Sequence, residues 1–140
     1  MIGPVPVTAL YAALFSLLFV ILMVAVIKLR RSLRIGLGDG GNRDLQQAIR
    51  AHGNAVECVP IFLLMLATFE LNHGPAMLLH LFGTAFLVVR VAHAWGLYAS
   101  SGASIGRVAG TAGTMTLLVA LAVANLLREA PIYSRILTTP

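Results

Sequence analysis

Acidic side chains are scarce in this sequence. Five Asp and Glu stand against ten Lys and Arg in 140 residues, and charged residues of both signs make up only 11%. Soluble domains carry about 25%, so a surface that faces water on every side is excluded. A single cysteine, Cys58, leaves no partner for an internal disulfide and no pair for a cysteine-built zinc site. His80 and His93 lack metal-ligand spacing and have no aspartate beside them, so no metal is expected. The glycine-rich stretch Gly36–Gly41 reads as a turn-rich loop. It is not a phosphate cradle, because no Gly-Lys-Ser/Thr follows it.

Apolar length is what the sequence has in quantity. Hydrophobic residues make up 59% and the mean hydropathy is +0.90. Four stretches of about 20 residues, each able to cross a ~30 Å hydrocarbon core as a helix, would occupy about 80 positions. Too little remains for a second domain. The expected fold is therefore all-α, one integral membrane four-helix bundle over residues 1–140, with helices at about 7–29, 43–71, 75–98 and 105–127. The first 27 residues are uncharged and lack the basic leader and cleavage site of a secretory signal, so the first helix is expected to be retained. Asn42 is placed to cap the second helix, with Asp44 in its first turn, and Pro60 should bend it.

The net charge of +5 raises nucleic-acid binding as a possibility, but the positions of the charges argue against it. Lys28, Arg30, Arg31, Arg34, Arg43, Arg50 and Arg107 fall at one membrane face, whereas Arg128 and Arg135 fall at the other. Basic residues mark the cytoplasmic side, so both termini should face away from the cytoplasm. Membrane lipids, anionic headgroups among them, are the expected partners of this charge, and no nucleic acid is needed.

Several polar residues lie at bilayer depth, where an ionisable group costs roughly 2.5–3.5 kcal/mol and usually marks function. Arg50, Asn54 and Glu57 stand at i, i+4 and i+7, within about 60° of one another on one helix. Arg90 and His93 share a face of the third helix, and Tyr98 closes it. A structural reading has Glu57 neutralising Arg50 or Arg90 to lock helix packing. Against it, desolvation offsets much of such a pair's gain, and the surplus of arginines calls for an anionic ligand. His52 lies about 200° from Arg50 and should be exposed. Trp95 suits an aromatic belt or a ligand contact equally. Gly106, Gly110 and Gly113 suit close helix packing.

The string RAHGNAVECVP (Arg50–Pro60) and RVAH (Arg90–His93) resemble the MAPEG superfamily, the membrane-associated proteins in eicosanoid and glutathione metabolism. The likeness spans residues 7 to 127. Arg50, Asn54, Glu57 and Pro60 fall at the helix-two spacings of its leukotriene-C and prostaglandin E synthases. RRSLR (Arg30–Arg34) is similar to the basic end of helix one in the former, and Tyr98 and Arg107 repeat a tyrosine and arginine of the latter. The chain departs from the pattern at Cys58, at Gly53, and in the five-residue step from His93 to Tyr98. Either a bulge at Gly96 realigns Tyr98, or only one of the two faces the site, with Tyr98 preferred.

The resemblance implies a bacterial inner-membrane homotrimer that binds glutathione between protomers near the cytosolic face. Arg30, Arg50, Asn54, Glu57, Arg90, His93 and Tyr98 would hold the tripeptide. Arg107 and Tyr98 would activate its thiolate, and Arg31 would handle the second substrate. The implied activity is a glutathione transferase or peroxidase. Glutathione is its cosubstrate, no metal takes part, and a lipophilic small molecule is the acceptor. A non-enzymatic membrane protein of the same fold, binding lipid or a protein, is the alternative.

Overall fold

The computed structural model describes the backbone of residues 4–99 and 105–138, and the side chains of residues 4–97 and 105–130. Four helices follow in order: α1 (Pro6–Leu33), α2 (Arg43–Leu71), α3 (Ala76–Ala99) and α4 (Ile105–Thr138). No strand occurs among the described residues. Each helix is long and apolar enough to cross a membrane. Large apolar side chains such as Leu17, Ile21, Leu64, Val88 and Val119 point outward, while Arg90, His93 and Thr114 are buried. That inversion of the soluble pattern suits a surface solvated by lipid, and the protein is an all-α membrane bundle.

The helix ends have identifiable chemical causes. Pro6 starts α1, where a missing N–H costs nothing, but Val5 provides no side-chain cap. Glu70, from the far end of α2, takes that role. Its carboxylate accepts the Val7 N–H at 2.8 Å and the Thr8 N–H at 2.7 Å. Two orphan donors are satisfied and an anion sits at the positive end of the helix dipole. At its other end α1 stops on Arg34, which is left-handed at φ 55°. The Asn42 side chain accepts the Leu45 N–H at 3.0 Å and so caps α2, which continues through an exposed Pro60.

The fourth helix is longer than the expected end near Leu127. Arg128 Nε donates to the Asn72 carbonyl at 2.8 Å, the same guanidinium reaches the His73 carbonyl, and the Asn72 amide donates to Glu129. These contacts tie the α2–α3 turn to α4 beyond residue 127, and the helical backbone runs on to Thr138.

Among the described residues, α2 and α3 touch each other and both remaining helices, whereas α1 and α4 do not touch. Lipid tails are as apolar as leucine, so close packing rather than burial from water holds helices together in a membrane. Phe62 stacks on Phe86 at 3.8 Å and 3°, and Phe15 meets both rings edge-on. Between α3 and α4 the fit depends on missing side chains. A Cβ on Gly96 would lie 2.6 Å from the Arg107 nitrogen, and one on Gly110 would lie 2.7 Å from the His93 Cα. Gly96 therefore permits contact and opens no bulge, because α3 is regular α-helix through Ala99. The bulge considered for realigning Tyr98 is absent, and the side chain of Tyr98 lies outside the described residues.

Candidate functional site

The polar seam of α2 is graded round the helix. With the buried line Ala51, Ala55, Phe62 and Leu66 taken as the core direction, about 100° per residue puts Asn54 roughly 90° away, Arg50 130° and Glu57 150°. Burial follows that order. Asn54 is half-buried, whereas Arg50 and Glu57 are exposed. His52, expected to be exposed, is also half-buried. The two seams thus meet at Asn54 and Arg50 and not at Glu57.

There Arg50, Asn54, His93, Leu97, Arg107 and Thr111 enclose a cavity of about 200 Å³. A neighbouring cavity of about 280 Å³ adds Gln46 and Gln47 and shares Arg50, Leu97 and Arg107. Together they reach the size range of small-molecule sites, about 300–1,000 Å³. His93 Nδ1 stands 3.5 Å from Thr111 Oγ1. The close approach of Gly110 to His93 is what brings α4 near enough for that pair.

One helical turn before His93 on α3 lies Arg90, 1% exposed. Its Nη1 donates to Thr114 Oγ1 at 3.2 Å, and Thr114 in turn donates to the Gly110 carbonyl at 2.7 Å. Arg90 Nε and Nη2 are buried without a partner among the described residues, and so is Asn54 Oδ1. Buried polar groups are normally paired, and an unpaired one costs about 1–3 kcal/mol. Among the described residues Glu57 makes no ion pair with Arg50 or Arg90. Asn54, at the cavity, thus carries an unpaired acceptor, and Arg90, buried outside the cavity lining, carries unpaired donors.

The remaining expected site residues lie elsewhere in the chain. Arg30 donates from Nη1 to the carbonyls of Ile35, Gly36 and Gly38, at 2.8 Å to the last. With exposed Arg31 and Arg34 it lines a separate cleft of about 330 Å³. Glu57, Arg30 and Arg31 are thus outside the cavity of their own chain, because they lie beyond the inward sector of α2 or at the end of α1. Leu97, Thr111, Gln46 and Gln47 were not singled out as site residues. Their signal was helical extension, since Gln46 precedes Arg50 by four and Thr111 follows Arg107 by four. His80 pairs with the Tyr11 hydroxyl at 3.2 Å, and Trp95 is exposed on α3. Among the described residues no group of three or more His, Cys, Asp and Glu side chains is placed to hold a metal.

Residues 8–127 match the model of the MAPEG family. The chain belongs to that family. Among its MAPEG relatives, the inner membrane protein YecN of Escherichia coli strain K12 is 40% identical over 92 residues, 66% of this chain and 70% of YecN. YecN of strain CFT073 matches to the same extent. The protein sll1147 of Synechocystis is 29% identical over 113 residues, 79% of this chain and 82% of the relative. The matched span runs from α1 into α4 and includes the α2 seam whose inner edge lines the cavity.

Proposed function

We propose that this MAPEG chain is a membrane-embedded glutathione-dependent transferase or peroxidase. The observation that carries the reading is the cavity lined by Arg50, Asn54 and Arg107, where Asn54 has an orphaned oxygen, with Arg90 and its two orphaned nitrogens buried one helical turn from His93. Glutathione has two carboxylates, an amine and two amide N–H groups, and suits that inventory. Arg50 and Arg90 would hold carboxylate, Asn54 would accept an N–H, and His93 and Thr111 would line the tripeptide's path.

A free thiol titrates near ~8.5, and lowering that by ~2 units takes about 2.7 kcal/mol of preferential anion stabilisation. Arg107, with the hydroxyl of Tyr98, would supply it. The thiolate lone pair then forms the C–S bond with a lipophilic electrophile arriving from the bilayer, and the leaving group departs with its electron pair. With a lipid hydroperoxide the thiolate attacks the terminal oxygen, the O–O bond breaks and the lipid leaves as an alkoxide that takes up a proton; a second glutathione thiol then displaces water from the resulting sulfenic acid to give the disulfide. Arg31 lines a separate cleft of its own chain, so it would handle the second substrate from a neighbouring copy.

Homotrimeric assembly belongs to the same proposal. Glu57 is exposed at the middle of α2, where facing lipid would cost roughly 2.5–3.5 kcal/mol, so another copy is the natural cover. A neighbouring copy would also present Arg30 and Glu57 to the tripeptide. Positive-inside counting puts the cavity at the cytoplasmic face with both termini opposite, in an inner membrane like that named for YecN.

Purified protein in detergent should bind glutathione and conjugate a chromogenic aryl halide. Arg50→Ala and Asn54→Ala should lose both activities while keeping their helical content. Absence of binding at millimolar thiol would refute the reading.

A further inference from the structure

We propose that Cys58 is a peroxide-reactive thiol, which takes an oxygen atom from a lipophilic hydroperoxide beside the free edge of the Arg90 guanidinium. The placement follows from the antiparallel run of the helices. Asn54 of α2, His93 of α3 and Thr111 of α4 line the cavity described above. Cys58 follows Asn54 by four residues and stays within about 40° of it on α2. Arg90 precedes His93 by three, and Thr114 follows Thr111 by three. Cys58, Arg90 and Thr114 therefore lie one turn deeper in the membrane, in a layer directly beneath the cavity. Arg90 is 1% exposed, and it interacts electrostatically with Cys58 within that layer. Among the described residues no carboxylate shares in that interaction. Cys58 is half-buried, whereas Val59 beside it is completely buried, so the thiol sits at the edge of the core.

Thr114 Oγ1 takes one bond from Arg90, through Nη1, and so fixes the plane of the guanidinium. The nitrogens left without a partner are Nε and Nη2, whose N–H bonds lie side by side on one edge of the group and suit oxygen. A cysteine packed only as a small hydrophobe has no use for such a neighbour. A peroxide has, because negative charge develops on its oxygens as the O–O bond breaks. The Cys58 thiol gives up its proton and its sulfur attacks the terminal oxygen. The S–O bond forms, the O–O bond breaks, and the lipid leaves as an alkoxide that takes up the thiol's proton. Cys58 is thereby oxidised to a sulfenic acid, and the hydroperoxide is reduced to an alcohol. A small thiol restores the residue: one equivalent displaces water to give a mixed disulfide, and a second releases Cys58 and departs as the disulfide. The class of oxidant follows from depth. Cys58 packs against the apolar cluster that contains Phe62 and Phe86, one turn further into the hydrocarbon than the cavity, where an oxidised acyl chain carries its peroxide group and water is scarce. None of this depends on the glutathione reading, since the oxygen passes to a side chain of the protein.

The test uses the full chain in phosphatidylcholine nanodiscs, without glutathione. Linoleic acid hydroperoxide is added together with dimedone, which traps sulfenic acid and leaves oxidised methionine untouched, and the adduct is read by intact mass. Wild type should acquire a single adduct, and Cys58→Ser none. Arg90→Met should react about 10- to 150-fold more slowly, the factor for one charge-assisted hydrogen bond. Arg90→Lys, which keeps the charge without the paired edge, should fall between the two. Cooperative thermal unfolding of both Arg90 variants shows that a slower reaction is not misfolding. No adduct at millimolar hydroperoxide, or an unchanged rate in Arg90→Met, would overturn the proposal. So would hydrogen peroxide reacting as fast as the lipid at equal concentration, which would make a water-borne oxidant the substrate. Glutathione binding is measured in parallel and should be unchanged in Cys58→Ser, so that this proposal and the glutathione reading fail separately.

Discussion

Replacing Arg90 by methionine separates a ligand-binding guanidinium from a purely architectural one, because the two roles give opposite signs in the ligand-free protein. Arg90 is 1% exposed, bonded once to Thr114, and has two nitrogens without partners. Each unpaired buried donor costs about 1–3 kcal/mol, and exchanging buried ionic groups for apolar ones of similar volume often gains 1–4 kcal/mol. Thr114 keeps its bond to the Gly110 carbonyl, so the substitution leaves no new orphan. Ligand-free Arg90→Met should be more stable by about 1–3 kcal/mol, or roughly 2–4 °C per kcal/mol for a chain near this size. Glutathione should have the reverse effect. At a hundredfold excess over Kd it stabilises wild type by about 2.7 kcal/mol. Loss of one charge-assisted hydrogen bond of about 1.5–3 kcal/mol would weaken binding some 10- to 150-fold and shrink that shift to roughly 0.3–1.3 kcal/mol. Thermal unfolding in detergent with and without glutathione reads both numbers. A destabilised ligand-free variant with an undiminished glutathione shift would refute the reasoning.

Other substitutions test the frame around the site. Glu70→Ala removes the shared cap of α1, with its two backbone bonds, and should lower stability by about 1.5–3 kcal/mol in chemical denaturation. Glutathione affinity should be unaffected, because the cap lies at the opposite end of α2 from Arg50. Gly110→Ala places a methyl 2.7 Å from the His93 Cα and forces α3 and α4 apart. A loss of about 1–3 kcal/mol in thermal unfolding, together with loss of glutathione binding, is expected.

Four membrane-crossing helices were legible because each needs only length and apolar content, both local properties. The cap at Asn42 was legible for the same reason. Glu70 was not, since its partners Val7 and Thr8 are 63 and 62 residues away and are backbone groups that no side-chain pattern marks. The α2 seam was read as one stripe, and its angular arithmetic was sound. The stripe straddles the edge between core and outer surface, however, so a spread of about 60° was enough to put Asn54 on the cavity and Glu57 outside it. The length of α4 depends on Arg128 and Glu129 meeting the α2–α3 turn, a tertiary contact with no trace in periodicity. Arg34 could not be foreseen as left-handed, because the glycines after it offered cheaper places to turn.

The separation of α1 from α4 bears on how copies can associate. Each chain has two unlike flanks, one formed by its first helix and the other by its last. A two-fold pair must set like against like, whereas unlike flanks mate head to tail, and rotation then closes a ring or runs on without end. Under the homotrimer proposed above, the first helix of each copy would face the last helix of the next, and one altered flank would weaken every joint of the ring.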